Sequence, residues 1–185
     1  MLSAIDAVMT AVRCALAIIL LLVASGFAQA QVVHRRNVPA GDATPQGGSF
    51  SIHFPVPFND IEVSADDPQA TTAKLYILAG ADGDQIRLSA TEAPMAGMQP
   101  RPLESFMSGI GEKSGGTVTD IHRDTSGGQE TLSFALNVTD GGYYFHVVRV
   151  NNVQYMQVVQ FRESVRDKAA KMKDDFFNSF KLNTP

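Results

Sequence analysis

The sequence contains one cysteine and no tryptophan in 185 residues, and the missing cysteines exclude several kinds of chemistry. The single cysteine, Cys14, lies inside an N-terminal apolar run, so a chain cleaved after that run has no thiol. Thiol catalysis, iron–sulfur clusters, cysteine-based zinc sites and disulfides are then excluded, and a packed core must provide the stability. Basic runs are also missing and the net charge is -4, which argues against a nucleic-acid surface.

Residues 1–30 have the organisation of a secretory signal. Arg13 precedes an apolar run over residues 14–27, and the small residues of an A-x-A cleavage motif end at Ala30. That run is shorter than the roughly 20 apolar residues that cross a bilayer core. We therefore expect cleavage between Ala30 and Gln31, membrane contact only during export, and a periplasmic or extracellular location. The competing interpretation is an uncleaved N-terminal anchor.

The rest of the chain divides into a leader and one folded domain. Residues 31–48 have no hydrophobic period and many turn-forming residues, which predicts a flexible leader. Alternation begins at Ser49, and the pattern over residues 49–182 predicts a single domain. Strands are predicted at 49–54, 61–63, 74–79, 85–90, 117–125, 129–138, 143–150 and 153–160, and helices are predicted from Pro102 and over residues 163–180.

Tight turns connect most of the predicted strands. Asp82-Gly83, Gly127-Gly128 and Asn151-Asn152 tolerate the positive φ angles that short hairpins require. Parallel neighbours need crossovers of about a dozen residues or more, and only residues 92–116 provide such a link. We therefore predict an α+β fold, in which one hairpin-connected antiparallel sheet of about six to eight strands is packed by two helices. Residues 143–150 are apolar at nearly every position, which predicts a central strand covered on both faces.

Aromatic side chains are the candidates for ligand contact. The last predicted helix has an apolar stripe at three- and four-residue steps, formed by Val165, Ala169, Met172, Phe176 and Phe180. Phe177 lies at the boundary of that stripe, and Tyr143 and Tyr155 lie on predicted strands. Core packing explains most of these aromatic residues. The alternative is that Phe177 and some of the tyrosines line a gap between the helix and the sheet, where an apolar ligand or a partner segment enters. The candidate contact residues are then Tyr143, Tyr155 and Phe177.

Two short motifs resemble a known family. Residues 48–55 (GSFSIHFP) are similar to the F-x-(V/I)-x-F-P opening of a broad set of exported bacterial domains of unknown function. Residues 155–160 (YMQVVQ), followed by a helix ending in FNSFKL, resemble the closing pattern of the same domains. The resemblance spans residues 48–182 and implies a PsbP-like α/β/α sandwich, the fold of the photosystem extrinsic subunit and of a Ran-binding nuclear import factor. Because the matching positions are apolar and aromatic, the resemblance implies a fold and assigns no functional residue.

The known catalytic and metal-binding motifs are missing from the sequence. Asp82-Gly-Asp84 lacks the remaining ligands of a calcium loop, and Ser108 lacks the G-x-S-x-G context of a hydrolase nucleophile. The other serine considered, Ser179, lies at a helix end between aromatic residues. The histidines are not spaced as pairs of metal ligands: His34, His53, His122 and His146. We therefore predict no catalytic residue, no metal and no cofactor.

These observations favour an exported, non-enzymatic domain that binds a protein or a cell-envelope component. A first alternative is a carrier that holds a small apolar ligand between the C-terminal helix and the sheet. A second alternative is a hydrolase whose site is assembled from dispersed residues.

Overall fold

The computed structural model describes residues 30–65, 74–95 and 101–183, which form eleven strands and two α-helices. The strands before the first helix are β1 (Ala30–Val38), β2 (Gly41–Ala43), β3 (Phe50–Phe54), β4 (Phe58–Ala65), β5 (Leu75–Asp82) and β6 (Ile86–Pro94). Helix α1 (Leu103–Ser114) is followed by β7 (Thr117–Ser126), β8 (Gln129–Val138), β9 (Gly141–Val150) and β10 (Val153–Arg162). A 3-10 turn (Glu163–Val165) leads into helix α2 (Arg166–Asn178), and β11 (Lys181–Leu182) is the last strand described.

Eight strands form one antiparallel sheet in the order β1-β4-β5-β6-β10-β9-β8-β7. The predicted hairpins are confirmed, because β5 pairs with β6, β7 with β8, and β9 with β10. Their turns use the left-handed residues expected there: Gly83 and Gly127 have φ values of 60° and 58°, and Asn151 and Asn152 have values of 50° and 60°. The two halves of the sheet meet where β6 pairs with β10. The architecture is therefore α+β, with two helices and a large antiparallel sheet.

A second, three-stranded sheet has the order β11-β3-β2, whereas the sequence predicted a single sheet. Pro55 and Pro57 separate β3 from β4, and a proline has no N–H to donate to a ladder. The chain therefore breaks after β3, which pairs with β2 on one side and with the C-terminal β11 on the other.

The segment predicted to be a flexible leader contains β1 and β2 instead. Strand β1 pairs with β4 along its length, so the predicted edge strand at 61–63 is part of a longer strand that lies inside the sheet. Side chains reinforce this pairing, because Arg35 Nε donates to Asn59 Oδ1 at 3.1 Å. The order of the segment comes from long-range pairing, which local periodicity does not report. Residues 1–29 of the predicted signal lie outside the described residues, and Ala30 and Gln31 are the first two residues of β1.

Each face of the large sheet packs against a helix. Helix α2 and the small sheet cover one side, which we call the α2 face, and α1 packs on the other, which we call the α1 face. Strand β9 contributes to both sides: Val148 is buried on the α2 face, and Phe145 and Val147 are buried on the α1 face. The prediction of a central strand covered on both faces is confirmed.

The apolar stripe of the last helix is also confirmed. Ala169 and Phe176 are completely buried, and Val165 and Met172 are partly buried against the same cluster. The Phe176 ring packs edge-on against Phe54, with 5.0 Å between ring centroids. Neither helix in the described part of the chain has both the length and the apolar character of a membrane span.

The outer strand β7 contains a bulge. Its pairing with β8 passes from Thr119 opposite Ala135 to His122 opposite Ser133, so Asp120 and Ile121 both lie opposite the single residue Phe134. Asp120 adopts a left-handed backbone with φ 54°. Ile121 beside it is 51% exposed, which is unusual for a large apolar side chain in this structure.

Candidate functional site

The structure separates the three aromatic residues that the sequence named as candidates for ligand contact. Tyr155 and Phe177 pack on the α2 face, but Tyr143 packs on the α1 face, where its ring stacks on Phe145 at 6.0 Å. Of the two tyrosines, only Tyr155 therefore shares the α2 face with Phe177. The two-residue turn at 151–152 determines which face each tyrosine occupies. This turn pairs Val153 with Val150, which places Tyr155 on the face opposite to Tyr143.

Tyr155 has a structural role on the α2 face. Its hydroxyl lies 2.6 Å from Ser49 Oγ, and Ser49 donates through Oγ and its backbone N to the carboxylate of Glu92, at 3.1 and 2.7 Å. Burial raises the pKa of Tyr155, so its phenol stays protonated over the neutral range. This network satisfies the buried carboxylate of Glu92 and attaches the start of β3 to the large sheet.

Next to Tyr155, three polar side chains follow one another across three adjacent strands. Gln157 on β10 lies opposite His146 on β9, and His146 lies opposite Ser133 on β8. Direct cross-strand partners project from the same face of a sheet, here the α2 face. We call Gln157, His146 and Ser133 the polar row.

Gln157 is the deeply buried end of the polar row. Its side chain is 0% exposed, and neither its amide nitrogen nor its amide oxygen has a hydrogen-bond partner among the described residues. A buried polar group without a partner costs about 1–3 kcal/mol. Gln157 was not among the residues predicted from the sequence, although a polar side chain between Tyr155 and Val159, at an inward position of an alternating strand, was a visible signal.

His146 occupies the middle of the polar row. Its Nδ1 lies 3.0 Å from Ser133 Oγ, and burial lowers the pKa of the imidazole, so the ring is neutral at neutral pH. The distance suits a nucleophile–base pair, but a catalytic base also needs a group that orients its ring. Among the described residues none hydrogen-bonds Nε2 of His146, so the geometry gives this pair no catalytic assignment.

Two phenylalanine rings pack against His146, the middle residue of the polar row. Phe177 on α2 lies 5.5 Å from the His146 ring, and Phe180 lies 6.5 Å from it, measured between ring centroids. Phe180 also contacts Tyr155 and Phe50, each at 5.7 Å. Both phenylalanine rings are partly exposed, so the His146 part of the row lies close to the protein surface at the end of α2.

On the other side of the sheet, the ends of several strands form a cleft of about 230 Å³, which we call the terminal cleft. Gln160 is the cross-strand partner of both Arg87 and Tyr143, so these three side chains share one row on the α1 face. The residues that line the cleft are Asp84, Gln85, Arg87, Val138, Asp140, Gly141, Gly142, Tyr143, Gln160, Phe161 and Arg162.

Backbone contacts fix the shape of the terminal cleft. The N–H of Arg162 donates to the carbonyl of Gln85 at 3.0 Å, and the N–H of Glu163 donates to the carbonyl of Asp140 at 3.1 Å. A Cβ atom on Gly141 would overlap the carbonyl of Phe161, so glycine is required where β9 begins beside β10. Two turns and the end of β10 are thereby held together.

The rim of the terminal cleft carries charges of both signs. Asp84, Asp140 and Arg162 are exposed, and within the described part of the chain their side chains form no hydrogen bond or ion pair. Neighbouring charges are paired, because Arg166 binds Glu163 at 2.7 Å and Lys168 binds Asp82. The terminal cleft therefore presents two free carboxylates and a free guanidinium beside the Tyr143 ring.

The remaining candidates from the sequence are dispersed. His53 Nδ1 lies 2.7 Å from Asp42, His122 is exposed on β7, and the His34 side chain lies outside the described residues. Within residues 30–65, 74–95 and 101–183, no group of three or more His, Cys, Asp or Glu side chains could hold a metal ion. Ser108 is exposed on α1, and Ser179 Oγ donates to the Phe176 carbonyl at the end of α2.

Comparisons of the chain with protein-family models, with curated proteins and with solved structures found no significant match. What the chain binds must therefore be inferred from its own contacts.

Proposed function

We propose that this chain is an exported, non-catalytic binding domain of the PsbP-like class, which binds an extended segment of a protein or a cell-envelope component. The helix on each face of the large sheet supports the sandwich class, since this is the layer order of an α/β/α fold. The apolar run and cleavage motif before Gln31 support export. The pairing of β1 with β4 is compatible with cleavage after Ala30, because the new N-terminus would lie in β1.

The terminal cleft is the observation that carries this proposal. Pockets for small molecules usually enclose roughly 300–1,000 Å³. The cleft has about 230 Å³ and is open to solvent, which suits one or two side chains of a larger partner. Its free charges of both signs and its tyrosine ring complement a peptide segment that contains charged side chains.

Photo-crosslinking in the host tests the proposal. The exported protein would carry the photoreactive residue p-benzoylphenylalanine at Arg162, at the rim of the terminal cleft, or at Asp174, which is exposed on α2 and does not line the cleft. We expect a discrete crosslinked product from position 162 and none from position 174. The charge reversal Arg162→Glu should reduce co-purification of the same partner. Equal products from both positions, or no partner at any salt concentration, would refute the proposal.

Export is tested separately by N-terminal sequencing of the protein from fractionated cells. A mature chain that begins at Gln31 in the periplasm or the medium is the expected result. A full-length chain in the membrane fraction would support the N-terminal anchor instead.

A second candidate function is the carriage of a small apolar molecule between α2 and the sheet. The unpartnered amide of Gln157, which is fully buried on the α2 face opposite His146, favours it. Native mass spectrometry of protein purified from its own host would show a retained molecule as added mass.

A further inference from the structure

The polar row is separate from the terminal cleft and lies on the opposite face of the sheet. We propose that the interface between α2 and the large sheet binds an apolar molecule with a neutral carboxamide head, with the head paired to Gln157 and the tail against Phe177 and Phe180. This inference rests on the second candidate function, carriage of an apolar molecule, and names the chemistry that the site recognises.

The amide of Gln157 determines the chemistry of the head group. This side chain offers one carbonyl acceptor and an NH2 donor, both buried and both without partners in the described part of the chain. A carboxamide offers the same two functions in the reverse order, so two such groups satisfy each other through a pair of hydrogen bonds. A single hydroxyl group would leave part of the Gln157 amide unsatisfied.

Charge in the interface separates a carboxamide from a carboxylate. A buried carboxylate needs a cation or several donors to replace its lost hydration. Lys173 on α2 lies over the ring of Tyr144 and binds Asp174 at 2.7 Å. His146 does not supply a positive charge either, because burial keeps its imidazole neutral. The interface therefore favours a neutral head over an ionised one.

Phe177 and Phe180 provide the contact surface for the apolar tail of the ligand and mark its route of entry. Phe177 and Phe180 provide partly exposed apolar surface above the polar row. Phe180 belongs to the segment after α2, which is attached to β3 by the two-residue strand β11. So short a strand has few backbone hydrogen bonds to lose, and displacement of Phe180 opens the row without unfolding α2.

Isothermal titration calorimetry with two probes of equal tail length tests the proposal. Octanamide is neutral, and octanoate is ionised at about pH 7.5. We expect octanamide to bind the wild-type protein at least about tenfold more tightly than octanoate. Gln157→Met keeps the volume of the side chain and removes its amide, and it should weaken octanamide binding by about tenfold or more. Gln129→Met, an identical exchange at an exposed position of β8, should leave binding unchanged. Thermal unfolding of each variant shows that it is folded.

The possible results distinguish a failure of carboxamide recognition from a failure of apolar carriage. Equal binding of octanamide by the wild type and by Gln157→Met would overturn the role of the amide and leave carriage standing. Tighter binding of octanoate would overturn the neutral head group. Binding of neither probe would refute both. A crystal structure in which ordered water alone occupies the Gln157 amide, with and without octanamide, would also overturn the proposal.

Discussion

Arg36 on β1 forms an ion pair with Asp60 on β4, with 3.1 Å between Nη2 and Oδ2. Asp60 is only 3% exposed, so its carboxylate depends on this guanidinium, whereas Arg36 itself reaches solvent. The pair makes β1 part of the folded core. We therefore expect the segment just after the predicted cleavage site to contribute to stability.

Removal of that guanidinium tests the role of β1. Arg36→Ala leaves the Asp60 carboxylate buried without its cation, and we expect a loss of about 1–3 kcal/mol in the free energy of unfolding. Arg35→Ala removes an exposed hydrogen bond to Asn59 and should cost less than about 0.5 kcal/mol. Urea denaturation measures both. Similar small effects would mean that β1 contributes little to stability.

The buried face of α2 gives a second prediction. Phe176 is 1% exposed and packs against Phe54, so Phe176→Ala should cost about 3–5 kcal/mol. Asp174 is exposed on the same helix, and Asp174→Ala should change the free energy of unfolding by no more than about 0.5 kcal/mol. Chemical denaturation of the two variants measures both effects. Equal losses of unfolding free energy would mean that the buried face of α2 is assigned wrongly.

Stability should fall as the pH drops below the ordinary range of histidine. Burial lowers the pKa of His146, so the unfolded chain takes up this proton at a higher pH than the folded chain. The contribution of His146 is complete above its unfolded pKa of about 6.5 and is lost as the pH falls toward the lowered folded value. Denaturation of the wild type should therefore give a smaller free energy of unfolding at about pH 5.5 than at about pH 7.5.

Two variants assign that pH dependence. His146→Gln removes the titrating ring and should reduce the decrease in unfolding free energy between the two pH values. His53→Gln should not reduce it, because the His53 side chain is exposed to solvent and lies outside the buried interface that holds His146. An unchanged decrease in His146→Gln would assign the effect to another group.

The buried amide of Gln157 should reduce stability in the ligand-free protein. Gln157→Met replaces an unpartnered polar group with an apolar one of similar size, and we expect a gain of about 1 kcal/mol or more in the free energy of unfolding. Gln154→Met on the same strand removes an acceptor that lies 2.9 Å from Arg149 and should cost about 0.5–1.5 kcal/mol. Effects of the same sign in both variants would contradict this account of Gln157.

The hairpins were predictable from the sequence because their signals are local. Asp82-Gly83 and Asn151-Asn152 provide left-handed turn residues, and the flanking strands alternate. The strands β1 and β11 were not predictable in this way. β1 has no alternating pattern and is ordered by pairing with β4, and β11 becomes a strand only because Lys181 pairs with Ser51 far back in the chain. Single-sequence periodicity does not report contacts of that separation.

The candidate site was predictable only in part. Aromatic composition identified Tyr155 and Phe177 as neighbours of the terminal helix, but the face of Tyr143 depends on the register set by the turn at 151–152. The contact between Ser133 and His146 requires the pairing of β8 with β9, which brings together residues that are 13 positions apart. The terminal cleft depends on two separate turns meeting the end of β10, a convergence that no segment encodes alone.

The bulge at Asp120 and Ile121 affects whether a strand of another molecule can pair with the outer edge of the sheet. A second extended chain that approached β7 would find an irregular row of backbone donors and acceptors, because the one extra residue of the bulge interrupts their spacing. Growth of the sheet from one molecule to the next is thereby discouraged, even though an isoleucine is exposed at that border. The bulge thus disfavours polymerisation of the protein through its β7 edge.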